Sequence, residues 1–158
     1  MMWQKFLGVT LLFVATSAWA GNDILVRDVW LRESVPGQDT ASLQLNLTAT
    51  RPATLLAVTT PVAGAVQIQR VLPTPGRVNV RVLRSLPLPR DRTVSFGQRG
   101  LSLMLVGLKA QLYAGEQIPV TLSVRLAGGK VSKLEVPAEV RPLDLSYRHY
   151  EQGEVHDH

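Results

Sequence analysis

The sequence predicts an all-β fold, an antiparallel β-sandwich, on three observations. Short runs alternate apolar with polar residues, most clearly over 42–48, where Leu43, Leu45 and Leu47 share one face. Proline- and glycine-bearing turn signals separate these runs at short, regular intervals. No segment carries the apolar period of a long amphipathic helix, and no internal repeat is present. Many short strands punctuated in this way pack as two layers around one core.

Taken in order, residues 24–31 form the first strand, with Val26, Val29 and Leu31 apolar, and Pro36-Gly37-Gln38-Asp39 is a turn. The strand over 42–48 ends at Arg51-Pro52, and 53–59 is the next, closed by Pro61 and Gly64. Over 65–71, Val66 and Ile68 point one way and Gln67 and Gln69 the other. Pro73-Thr74-Pro75-Gly76 is a turn, after which 77–82 alternates again. Val78, Val80 and Val82 lie on one face of that run, and Arg77, Asn79 and Arg81 on the other. Leu86-Pro87-Leu88-Pro89 cannot be a central strand, because proline donates no ladder hydrogen bond. A short strand over 93–96 and an apolar one over 101–105 follow, the latter entering a turn at 106–109. After a turn at Tyr113-Ala114-Gly115-Glu116, residues 119–126 and 131–136 make a hairpin across Gly128-Gly129, extended by 140–143.

The ends differ from the middle. Lys5, the apolar run 6–15 and the small-x-small site Ala18-Trp19-Ala20 read as an export signal over residues 1–20, cleaved before Gly21. That apolar run is shorter than the roughly 20 residues a membrane-spanning helix needs. The sandwich domain is expected over 21–143, and 144–158 as a flexible, acidic tail holding every histidine of the chain: His149, His156 and His158. The chain has no cysteine, which excludes disulfides, thiolate metal sites, a thiol nucleophile and a cysteine-linked lipid anchor. The expected location is the periplasm.

The formal charge is +5, and removal of residues 1–20 takes away Lys5 and no acid, leaving +4. Between Arg70 and Lys109 lie eight basic residues and a single acid, Asp91. Such a surface suits solvated strand faces, an acidic partner or anionic lipid headgroups, but not nucleic acid, since Phe96 is the one aromatic residue among these arginines, too few for stacking platforms. Enzyme chemistry is not expected. No Ser-His-Asp arrangement, P-loop, dinucleotide fingerprint or H-E-x-x-H motif occurs, and only six of the twelve acids precede Leu126.

The order of motifs resembles the periplasmic copper chaperone family PCu(A)C across roughly residues 28–142. The resemblance is carried by Trp30-Leu31-Arg32, by Thr60-Pro61-Val62-Ala63-Gly64 before the strand with Gln69, and by Leu86-Pro87-Leu88-Pro89. It is strongest in Leu103-Met104-Leu105-Val106-Gly107-Leu108-Lys109 and Gly115-Glu116-Gln117-Ile118-Pro119-Val120-Thr121-Leu122. It implies a cupredoxin-like, Ig-like sandwich and a copper(I) site of two histidines and two methionines. These are soft donors suited to a soft ion. The family spacing puts the first histidine on Gln69, the first methionine on Val80, the second histidine on Ser102 and the second methionine on Met104. The spacing is kept and three of the four ligands are replaced, so copper(I) at the family site is doubtful. Gln69 and Ser102 are expected to hydrogen-bond across neighbouring strands with Val80 packed beside them.

The tail is the second place for copper. His156-Asp157-His158, with His149, Asp144, Glu151 and Glu154 nearby, offers imidazole and carboxylate donors for copper(II). Two functions follow. One is copper trafficking or buffering with a copper-donating or copper-receiving envelope protein as partner, using Met104 and the tail. The other is a metal-independent binding module that docks a partner, with 77–84 as its arginine-bearing strand.

Overall fold

The computed structural model describes residues 23–97 and 100–143. The export signal at 1–20 and the tail at 144–158, with its three histidines, lie outside the described residues. The strands are β1 (Ile24–Arg32), β2 (Thr40–Ala49), β3 (Ala53–Thr59), β4 (Ala63–Thr74) and β5 (Arg77–Leu83), followed by β6 (Leu86–Leu88), β7 (Thr93–Phe96), β8 (Leu101–Leu108), β9 (Gln117–Leu126) and β10 (Val131–Arg141). They hydrogen-bond along one path, β5-β4-β8-β2-β1-β10-β9-β3-β6, with β7 added beside β2. Among the described residues no helix is long and apolar enough to cross a membrane.

The core follows from period-two alternation. Along β2, Ala41, Leu43, Leu45, Leu47 and Ala49 are buried while the residues between them are not. Leu103 and Leu105 of β8, Leu55 and Val58 of β3, and Val120, Leu122 and Val124 of β9 join them in one cluster. Ten strands would expose two free faces if the sheet were flat. Folding the path back on itself turns these leucines and valines toward one another.

The strands over 53–59 and 93–96 have the bounds the sequence predicts, and three expectations need correction. First, the sheet is mixed: β1 pairs with β10 in parallel through Trp30–Glu139, Leu31–Val140 and Arg32–Arg141, whereas the other strand pairs are antiparallel. Second, 106–109 is not a turn. Strand β8 runs on to Leu108, paired with Ala63 of β4, and the positive φ of 70° at Gly107 absorbs the local distortion. Third, β4 continues through Pro73 to Thr74, which narrows the turn to Pro75-Gly76.

Prolines sit where no ladder bond is lost. Leu86–Leu88 forms the last strand of the path, an edge, as Pro87 requires. Within the β9–β10 ladder, Pro119 faces Pro137. Val140 donates its N–H to the Glu116 carbonyl, so the even-numbered residues of β10 bond toward β9 and the proline pair falls between hydrogen-bonded pairs.

Strand β5 stands apart. Every residue from Arg77 to Val82 is exposed, including all three valines of its apolar face. It lies at the end of the strand path, with only β4 beside it among the described residues. The contrast between β8 and β5 is measurable. Leu103→Ala, at a side chain with no exposure, should cost about 3 kcal/mol in urea unfolding, the usual cost of a cavity in a closed core. Val80→Ala should cost no more than about 0.5 kcal/mol.

Candidate functional site

Strand β8 lies between β2 and β4, and both neighbours fix which of its side chains face outward. Ser102 is opposite Gln69, and Met104 is opposite Gln67 on one side and Ser42 on the other. Residues directly opposite share a face of the sheet. Leu103, Leu105 and Ile68 take the inner face, at 4% exposure or less. Ser102, Met104, Gln67 and Gln69 are therefore turned outward, each half-buried.

On that outer face Gln69 is the centre of a hydrogen-bond chain. Its Nε2 donates to Gln67 Oε1 at 2.9 Å, and its Oε1 accepts from Ser102 Oγ at 3.5 Å. Both ends of the Gln69 amide are thus engaged. Next to Met104, Gln44 Nε2 donates to Ser42 Oγ at 3.2 Å. The structure sets Gln69 opposite Ser102, with Met104 diagonal to Gln69 on the same face. Val80 is on the same face, on the other side of Gln69. It pairs with Val71, diagonal to Gln69, at a Cα separation of about 7–8 Å by ordinary sheet geometry. Val80 is 50% exposed, and Val82 is the residue directly opposite Gln69.

Chemically this face is neutral and mostly hard. Amides and hydroxyls supply oxygen donors, and Met104 supplies the one soft sulfur among these residues. Among the described residues no group of three or more His, Cys, Asp or Glu gathers into a metal-binding cluster. Copper(I) in the manner of a two-histidine, two-methionine site does not fit this donor set.

The same outer face continues across β2 to β1 and β10, where Trp30 lies between two arginines. The Arg141 guanidinium carbon is 4.5 Å from the ring centroid and that of Arg32 is 5.3 Å away, both within cation–π range. Beside this stack is a groove of about 270 Å³ bordered by Trp30, Arg32, Glu33, Gln38, Ser42 and Gln44. The sequence reading missed this stack. Trp30 and Arg141 are distant in the chain and meet only through the parallel β1–β10 pairing, for which no local pattern exists. The Gln67–Gln69 bond was available to the sequence, since both residues fall on one side of a strand at alternate positions. His149, His156 and His158 lie outside the described residues.

Comparison with known proteins extends this picture. A family model described as "Putative lipoprotein LpqE-like" matches residues 24–138. A curated relative from Leifsonia xyli subsp. xyli (strain CTCB07), "Putative lipoprotein Lxx21020", is 27% identical over 119 residues, 75% of this chain and 70% of the relative. Among solved structures, the apo PCuAC domain from PmoF1 superposes with a TM-score of 0.60 at 20% identity, over 77% of this chain and 95% of that one. The copper-bound PCuAC domain from PmoF2 gives 0.59 at 21%, over 77% and 94%. The copper(I) form of DR1885 from Deinococcus radiodurans gives 0.56 at 23%, over 80% and 85%. At such identities these structures establish the fold. The resemblance to PCu(A)C domains read from the sequence is thereby borne out in the fold, and the lipoprotein family points to an extracytoplasmic location. From β1 to β10 the matched segment covers nearly all the described strands, and the chain belongs to the LpqE-like family, built on the β-fold of the PCuAC domain.

Proposed function

We propose that this chain is a non-enzymatic copper-handling protein of the periplasm, with a weakened copper(I) face at Met104 and a copper(II) site in its histidine tail. The observation that carries the reading is the register of β4 against β8. It holds Gln69, Ser102 and Met104 on one outward face, and the sequence resemblance puts the family's ligands at these residues. Two PCuAC-fold relatives are described as copper-bound, which supports copper as the cargo. With three soft donors replaced, the face retains one thioether. Donors for copper(II) come instead from His149, His156 and His158. A copper-donating or copper-receiving envelope protein is the partner this role requires.

A second reading is a metal-independent binding module on the same scaffold. It is favoured by the chain from Ser102 through Gln69 to Gln67, which occupies with hydrogen bonds the groups that would face an ion. Copper titration separates the two readings. If neither oxidation state binds more tightly than to buffer, the copper reading fails and the module remains.

Anaerobic competition against a copper(I) chelator should give weak binding for the native chain. The triple variant Gln69→His, Val80→Met, Ser102→His should bind at least about 100-fold more tightly, because soft donors return to a fixed frame. No gain would mean that these positions do not share a site.

For copper(II), truncation at residue 143 should remove most of the affinity. In the intact chain affinity should fall as pH drops below about 6.5, since imidazole binds metal only when deprotonated. Isothermal titration at two pH values checks both effects, and equal affinity with and without the tail excludes the tail site.

A further inference from the structure

The open edge of β5 has the chemistry of a docking strand. Val71 of β4 donates its N–H to the Gly100 carbonyl, away from β5. Direction alternates along a strand, so Arg70 and Leu72 bond toward β5, and their partners there are Arg81 and Asn79. Val78, Val80 and Val82 therefore aim their backbone N–H and C=O groups outward, at the free edge. The position of Pro73 opposite Val78 agrees, since that residue of β4 is not asked to donate toward β5. Three consecutive outward-bonding positions thus carry exposed β-branched side chains, at 78%, 50% and 55% exposure.

The other face of the hairpin is cationic. Arg70 and Arg81 are directly opposite each other, and a like-charge cross-strand pair is unfavourable. Arg77 follows on the same face of β5, and Arg84 lies just beyond the strand. None of these four makes an ion pair with a described acid. The sequence has no Asp or Glu from residue 40 to residue 90.

From this juxtaposition we infer that β5 is the receiving edge for an extended segment of a partner protein in which acidic and β-branched residues alternate. Such a segment would satisfy the outward backbone groups of Val78, Val80 and Val82 and lay apolar side chains against them. Its carboxylates would fall opposite Arg81 and Asn79, in the non-hydrogen-bonded pairs where cross-strand side chains are closest, and would relieve the Arg70–Arg81 repulsion. A second copy of this chain fits poorly, because pairing two β5 strands gathers their arginines on one face. Arginine on an edge strand is a common guard against that self-pairing. Anionic lipid would answer the charge but leave the backbone groups to water. The added strand would lie beside Val82, the register partner of Gln69, and so next to the candidate site.

The test is metal-free and so independent of the copper reading. The isotope-labelled protein is titrated with a synthetic nonapeptide alternating valine and glutamate, with its valine–lysine counterpart, and with phosphatidylglycerol vesicles, and is followed by NMR. The expected result is saturable shift changes along β5 and amide exchange slowed at least tenfold at Val78, Val80 and Val82, with the glutamate peptide only. Arg81→Glu should weaken binding at least tenfold. Val78→Pro, which removes an outward N–H and leaves the β4 ladder whole, should do the same, with both variants melting as the native protein does. If either variant fails to fold, loss of binding on raising salt and the exchange pattern of the native protein decide instead. Absence of saturation, equal binding of the lysine peptide, unprotected valine amides, or binding to vesicles alone would overturn the inference.

Discussion

Everything on the outer face depends on the register of β8. This strand is hydrogen-bonded on both sides, to β2 and to β4, and its leucines at 103 and 105 are among the most buried side chains of the chain. Slipping it by one residue would carry both leucines to solvent and push Met104 and Ser102 inside. Each buried leucine is worth roughly 2–3 kcal/mol of transfer free energy, so the slip is prohibitive. The outward residues contribute almost nothing to this choice. The frame that presents Gln69, Ser102 and Met104 is therefore maintained by residues that never touch a ligand. The presented side chains can change chemistry while the frame persists.

Much of the fold was legible in the sequence because burial here follows alternation. The strands over 53–59 and 93–96 were readable to the residue, and the face assignments of Leu43, Leu45 and Leu47 hold in the structure. What escaped was of two kinds. Turn chemistry misled at 106–109, where Gly107 is a distortion inside a strand rather than the end of one, since a left-handed glycine serves either purpose. The parallel contact of β1 with β10, and with it the Trp30–Arg141 stack, has no local signature, because it is closed by topology alone.

For the candidate site, alternation alone set Ser102 and Met104 on one face of their strand, whereas the grouping of Gln69 and Val80 with them came from the family resemblance. Alternation did not show how far Val80 would be exposed. The valine–arginine alternation of β5 looks the same as that of a half-buried strand. Whether the apolar side is covered depends on what lies above it. β5 ends the strand path, and its valines are left in water. A local pattern identifies a face, whereas only the assembled layers determine whether that face is core or contact surface. The edge position gives the same sequence a different meaning.

The charge around this face bears on both roles at once. Arg70, Arg77, Arg81 and Arg84 have no acid near them in sequence; Arg70 adjoins Gln69 and Arg81 is opposite Arg70 one strand away, both turned to the other face of the β4–β5 hairpin. In an aqueous dielectric a cation roughly 10 Å away opposes a bound monovalent cation by a few tenths of a kcal/mol, before screening over a Debye length of about 8 Å. Unscreened, four such cations sum to on the order of 1 kcal/mol against a cuprous ion, and salt removes most of that. The same field would draw the inferred anionic segment to the adjacent edge. A docked acidic strand would cancel the opposing charge, so partner binding and cation retention on this face would strengthen each other. Coupling of that sign comes from Coulomb's law and strand order, and needs no movement of the sheet.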